Sequence, residues 1–209
     1  MTWILHNHRI AVVSAIHEET DLILKEKPII AKKALGIGNL EAGLGLDHLI
    51  ESLPELEAVL YLGSAGAYAW STLTIGDFVF SDDFSSLSIA SALGLSKQIQ
   101  AEKIHQTNRD FFSKSHLVSR DWKEAITNAP AEITLHQIQK PPIPEWQEFN
   151  IENMETFGVA TVCKKRNLPL LALFCVTNIV GPDGSEQWKN NWRKFSNEIQ
   201  HELQQIMKK

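Results

Sequence analysis

Three short apolar runs restrict what this chain can become. RIAVVSAI (9–16), Leu56 to Leu62 and Leu168 to Thr177 each end at polar or turn residues. Runs of this length without polar alternation read as strands buried on both faces, as in sheets covered by helices. Helical repeats lie between them. Leu40, Leu44, Ile50 and Leu53 repeat behind the glycine-rich start GIGNLEAG, and Asn150 to Lys165 is apolar nearly all round, as a buried helix is. Trp188, Trp192, Phe195, Ile199, Leu203 and Ile206 form the apolar stripe of a closing amphipathic helix. Pro28 to Lys33, Phe78 to Phe80 and the alternating ITLHQIQ (133–139) add strands. Thr20 to Leu24 and the stretch around Phe111, Phe112 and Trp122 read as helical, and GSAGA (63–67) as a turn. Strands and helices alternate throughout, which predicts an α/β protein with a largely central sheet and a single domain over 1–209.

Composition narrows the class. Apolar residues make up 44% and charged residues 22%, as in an ordinary globular protein. A net charge of -5 argues against nucleic-acid and membrane-surface partners. Cys163 and Cys175 lie in apolar segments without metal-like spacing, so buried reduced thiols are expected, with a disulfide as the alternative. The start MTWILHNHR is too short and polar for a signal sequence, and no apolar run approaches ~20 residues. A cytoplasmic location is the default expectation.

Several residues could carry chemistry. Glu18 and Glu19 stand where a strand ends and a helix opens: either they cap the helix, or one acts as general base toward water. GSAG follows a buried strand and is either a tight turn or a place where backbone N–H groups and the Ser64 hydroxyl meet a ligand. Glu155 opens a buried helix, where a carboxylate is costly unless paired or hydrogen-bonded. It either faces solvent or a local partner, or accepts from two neighbouring sugar hydroxyls. GIGNLEAG fails the dinucleotide fingerprint, because Glu41 occupies the third glycine position, and its glycines read as packing residues. His6, His8, His17, His48, His105, His116, His136 and His201 form no ligand spacing, so neither a metal nor another cofactor is expected. No G-x-S-x-G signature is present.

In order along the chain, RIAVVSAIHEE, GIGNLEAGLG, YLGSAGA, LTIGDFVFSDD, ENMETFGVATVC with NLP, and the strand ending in VTN resemble the nucleoside phosphorylase and nucleosidase superfamily. The similarity is to methylthioadenosine/adenosylhomocysteine nucleosidases and, in ENME and VTNIVGPDGSEQW, to futalosine hydrolases. It implies a three-layer sandwich of helices around a twisted mixed sheet, assembled as a homodimer or larger homo-oligomer. It also implies roles. Glu19 would activate the attacking water; Ser64, Ala65 and Gly66 would face the ribose and base. Asn153, Met154 and Glu155 would bind substrate, with the Glu155 carboxylate on the ribose hydroxyls, and Asn178 would face N7 and the 6-substituent of a purine.

The residue chemistry is consistent with that assignment. Breaking an N-glycosidic bond needs a nucleophile, support for an oxocarbenium-like sugar and a way to carry charge on the departing base. Phosphate as nucleophile would call for clustered donors such as arginine, and HEET has none beside it, which favours hydrolysis. The adenine-cleaving members carry an aspartic acid where this chain has Asn178. An amide cannot pass a proton to N7, but it can donate to O6 of a 6-oxopurine while its carbonyl accepts from a protonated N7. The expected reaction is therefore hydrolysis of futalosine to hypoxanthine and dehypoxanthine futalosine, a step of menaquinone synthesis. The alternatives are action on methylthioadenosine, adenosylhomocysteine or inosine, or a purine-binding homologue without turnover. Two departures stand out: Phe174 occupies the position of the family's arginine, and HQIQKPPIPEW replaces the stretch that supplies a base-stacking ring, with Trp146 and Phe149 nearby.

Overall fold

The computed structural model describes residues 8–98, 103, 107 and 110–207; His6, His105 and most of MTWILHNHR lie outside them. The first two strands, β1 (Ile10–Ser14) and β2 (Ile29–Ala34), are joined through a 3-10 helix at His17–Glu19. Helix α1 (Asn39–Ser52) leads into β3 (Ala58–Ala67), β4 (Phe78–Ser81) and the two-residue β5 (Phe84–Ser85). Short pieces follow: α2 (Ile89–Ala92), α3 (Lys114–Val118), β6 (Lys123–Glu124), β7 (Thr127–Asn128) and β8 (Ile151–Glu152). Helix α4 (Thr156–Arg166), strand β9 (Leu170–Ile179) and helix α5 (Gly184–Met207) complete the order.

The described strands form one nine-stranded mixed sheet around β3, which pairs in parallel with β1 and β9 and, at its end, antiparallel with β8. Alternate residues of the central strands go to opposite faces. Ala11, Val13, Val59, Tyr61, Ala172 and Phe174 pack with α1 and α4. Ile10, Val12, Leu60, Leu171 and Leu173 pack with Phe195, Ile199, Leu203 and Ile206 of α5. Helices thus cover both faces, giving the three-layer α/β sandwich. Both cysteines are buried free thiols. Among the described residues no helix is long and apolar enough to cross a membrane.

Five local expectations fail for identifiable reasons, the first at Asn150 to Lys165, where Ile151–Glu152 pairs with β3 and β7 as β8 and the helix begins only at Thr156. GSAGA is not a turn but the second half of β3, because it continues the ladder with β9. Thr20 to Leu24 is a turn rather than a helix. ITLHQIQ is irregular: Thr134 and Ile138 are buried while Ile133 and Leu135 are exposed, and side-chain bonds rather than a ladder hold it. Phe111, Phe112 and Trp122 lie outside the short α3, although Phe112 and Trp122 are buried.

Helix α1 exists as the sequence predicts but faces differently. Leu40 and Leu44 are 72% and 52% exposed, and the helix packs through Ala42, Gly43 and Leu46. Its partner is α4, where Gly158 lies so close that an added Cβ would stand 1.9 Å from the Asn39 carbonyl oxygen. A Cβ on Gly43 would sit at 3.4 Å from the Gly158 oxygen, an ordinary contact. In urea titrations, Gly158→Ala should lose about 2–3 kcal/mol of stability, whereas Gly43→Ala, inside a helix and free of a clash, should be neutral or gain up to about 1 kcal/mol.

Candidate active site

The parallel strands β1, β3 and β9 end on the same side of the sheet, where ligands in open α/β sheets bind. A cavity of about 430 Å³ opens there. Glu19, Ser64, Ala65, Gly66, Asn153, Met154, Glu155 and Asn178, the eight residues singled out from the sequence, all line it. They come from four separate stretches that the fold gathers.

Glu19 ends the 3-10 helix after β1 and is 5% exposed. One carboxylate oxygen accepts from the N–H groups of Ala15 (3.2 Å) and Ile16 (3.5 Å). The other accepts from the Ser64 N–H (3.2 Å) and hydroxyl (3.4 Å). Burial, joined by the charge of Glu155, outweighs these donors and raises its pKa from 4.5 to about 7. Such a carboxyl is half deprotonated near neutrality, as suits a general base.

Glu155 is equally buried and stands at the N-cap position of α4, where its side chain makes no bond to that helix and is left for other partners. It accepts from the Gly38 N–H (3.0 Å), the Asn153 amide (2.8 Å) and the Tyr61 hydroxyl (3.3 Å). A carboxylate offers about four acceptor positions, so some capacity remains for a ligand hydroxyl. The long Tyr61 bond is the one such a hydroxyl would displace. Burial raises the Glu155 pKa as well, against these donors. Asn153 is engaged within the protein: Oδ1 accepts from the N–H groups of Glu155 and Thr156, and Nδ2 donates to Glu155 and to the Ser64 carbonyl. It holds Glu155 in place rather than offering its amide to the cavity.

Asn178 reaches the cavity through an irregularity. The β3–β9 register slips after Ala65–Val176, so that Gly66 opposes Asn178 and Thr177 is the extra residue. Val176 and Ile179 on either side pack into the core beneath α1 and α4, while Thr177 and Asn178 both face the cavity. The Thr177 hydroxyl donates to Asn178 Oδ1 (2.9 Å), and Nδ2 donates to the Ile179 carbonyl (3.4 Å). The amide is thereby oriented from both ends. Gly66 is required here, because a Cβ would stand 2.7 Å from Asn178 Nδ2.

Sequence reasoning missed three contributors. Gly38, read as a packing glycine, adopts φ 86° and gives its N–H to Glu155. Trp188, read only as part of a helix stripe, donates its indole N–H to the Ser64 hydroxyl (3.0 Å). Glu152 lines the cavity and accepts from Thr134 and Tyr68. Trp146 and Phe149 are fully buried beside Tyr68, and neither they nor residues 84–95 line the cavity; Ile133 and Val180 do. Phe174 is also buried, packed at 5.8 Å from the Tyr61 ring, and lies outside the cavity.

Residues 125–209 match the family model of the Phosphorylase superfamily. Over nearly the whole chain the fold is that of solved nucleosidases. A mutant of the Helicobacter pylori methylthioadenosine nucleosidase with 5′-methylthioadenosine in its active site aligns with a TM-score of 0.78 and 16% identity, covering 97% of this chain and 99% of that one. The native futalosine hydrolase of the same species aligns at 0.76 and 17% identity, covering 96% and 97%. A Streptococcus pneumoniae methylthioadenosine/adenosylhomocysteine nucleosidase in complex with 8-aminoadenine aligns at 0.73 and 14%, covering 96% and 98%. No curated protein sequence matches the chain significantly.

The raised carboxyls have a consequence for stability. Between the unfolded value of 4.5 and the folded value of about 7, the native Glu19 holds a proton that the unfolded chain has lost. Stability contributed by this group is therefore full below pH 4.5 and lost as pH rises through 7. Raising the pH from 5 to 8 should cost about 2–3 kcal/mol through Glu19. Thermal melts across that range should fall for the native protein and flatten in Glu19→Gln.

Proposed function

We propose that the protein hydrolyses the N-glycosidic bond of a purine nucleoside, with a 6-oxopurine as leaving base and futalosine as the substrate of that type. The observation that carries this reading is the pair of buried carboxylates, Glu19 and Glu155, facing one cavity. In the proposed reaction Glu19 takes a proton from water as its oxygen bonds to C1′. The C1′–N9 bond breaks with its electron pair going to the base, which leaves as the 6-oxopurine anion and takes a proton from solvent while Glu19 returns the water's proton to solvent. Glu155 accepts from a ribose hydroxyl and stabilises the positive sugar between them. Activities of the solved relatives with the same fold, methylthioadenosine nucleosidase and futalosine hydrolase, are of this kind.

The lining supports hydrolysis over phosphorolysis. Glu19, Glu152 and Glu155 face the cavity and Lys189 is the single basic side chain among the lining residues, a poor setting for a phosphate dianion. The oriented Asn178 amide supports a 6-oxopurine: its NH₂ can donate to O6, whereas it has no proton to give N7. One observation favours a second reading, a methylthio-substituted nucleoside. Ile16, Ile37, Ile133 and Met154 give the lining apolar side chains that suit a methylthio group, and Lys189 is the single cation there for a carboxylate-bearing 5′ group.

A nucleoside panel with and without phosphate, read by chromatography of the free base, tests both. Hypoxanthine release from futalosine, independent of phosphate and faster than adenine release from methylthioadenosine, is expected. The reverse order would establish the second reading. Glu19→Gln should lower kcat by about 10²–10⁴-fold. Asn178→Asp should shift the preference toward adenine nucleosides, measured as the ratio of kcat/KM values.

A further inference from the structure

We propose that Trp188 is a positioning residue for Glu19, acting through the Ser64 hydroxyl. The inference rests on the role of Glu19 as general base in the reaction above. An indole N–H is a donor only. Its bond to Ser64 Oγ occupies one side of the hydroxyl and prevents the Ser64 proton from pointing toward α5. The acceptor left within reach is Glu19 Oε1, 3.4 Å away, the same oxygen that takes the Ser64 backbone N–H. A rotor that could turn either way thus becomes a donor aimed at the carboxylate. The distance is long for a hydroxyl bond, as is common for catalytic contacts before substrate binds.

Trp188 is itself held firmly. Its ring stacks on Trp192, one turn along α5, with centroids 5.5 Å apart and planes 13° from parallel. The first turns of α5 are tied to the end of β9, where Gln187 accepts the Ile179 N–H (2.8 Å) and Asn191 donates to the Thr177 carbonyl (2.9 Å). The indole is therefore fixed relative to the strand that carries Asn178.

The electrostatic setting gives this neutral donor weight. Phe174, at the position where the resemblance implies arginine, is sealed in the core and supplies no charge. The titratable group whose charge acts on Glu19 is Glu155, before α4, and Tyr61, on β3, in turn feels the charge of Glu19. On α5, Lys189 stands in the cavity wall, and Arg193 is committed to Asp21 and the Glu18 carbonyl. A cation beside Glu19 would hold it ionised and weakly basic. An N–H relayed through a hydroxyl orients the carboxylate and leaves its basicity near neutral.

The test compares Trp188→Phe, which keeps a stacking ring but removes the N–H, with Ser64→Ala and the double variant. Each single change should lower kcat about tenfold, with KM within about threefold. The double variant should be no slower than the slower single, and the acid limb of the kcat profile should move to higher pH. Trp188→His, which restores a ring N–H, should recover part of the loss. Additive losses, or an effect confined to KM, would overturn the proposal. Titration of the ¹³C-labelled Glu19 carboxyl decides the matter without turnover: its pKa should rise by about half a unit in Trp188→Phe. No shift sinks the relay. A shift in a protein that releases no base would support the relay while removing the proposed reaction.

Discussion

Two carboxylates buried in one cavity, with no arginine among the described residues that line it, set the terms for the rest of the structure. A buried charge needs donors, and the short helix of Glu19 supplies only the Ile16 N–H at its cap, at 3.5 Å, while α4 supplies none to Glu155. Glu19 draws N–H groups from the end of β1 and from the middle of β3. Glu155 draws one from Gly38, in the loop before α1, and others from Asn153 and Tyr61. Supplying these bonds requires β1, β3 and the starts of α1 and α4 to meet at one end of the sheet. The donors stop short of full compensation, since both carboxyls remain raised. Complete compensation by a cation would stabilise the fold more and weaken Glu19 as a base. In the proposed reaction that shortfall is what keeps Glu19 basic near neutral pH.

The same requirement explains where small residues occur. Gly158 lets α4 approach the Asn39 carbonyl, and the Asn39 side chain in turn accepts the Gly158 N–H (2.9 Å). That close crossing fixes the loop carrying Gly38 relative to Glu155. Gly66 clears space for the Asn178 amide, and Gly184 passes it less tightly: a Cβ there would lie 3.2 Å from Nδ2. Packing at these glycines is thus part of positioning the site.

Much of the fold was legible in the sequence because the central strands are buried on both faces. β1, β3 and β9 carry uninterrupted apolar runs that leave little alternative. The helix stripe of α5 was equally clear, since its buried Phe195, Ile199, Leu203 and Ile206 are bulky. α1 misled for the opposite reason. It packs through Ala42 and Gly43, and a search for large apolar residues picks out Leu40 and Leu44, which face outward. ITLHQIQ imitates a strand, but Glu152 anchors it by accepting from Thr134 Oγ1 (2.7 Å) and the Thr134 N–H (3.0 Å). In the site, residues that act through side chains at strand and helix ends were visible. Gly38 contributes a backbone N–H and Trp188 a bond to a distant hydroxyl, and neither leaves a mark in residue type or spacing.

Asn178 shows how the site's charge and backbone geometry meet. The slip after Val176 turns the end of β9 so that Thr177 and Asn178 reach the cavity together. The cavity already holds Glu19, Glu152 and Glu155, all with raised pKa values. An acid at position 178 would add a fourth carboxyl to this field, and the three carboxyls already there would oppose its ionised form. The Thr177 hydroxyl would then compete with the base for the new oxygen. An amide adds hydrogen-bonding capacity without charge, and Thr177 fixes which end of it faces the ligand. In the proposed reaction, departure of the base then depends on a donor that orients rather than on an acid that protonates, and activation of the water by Glu19 becomes the step on which turnover rests.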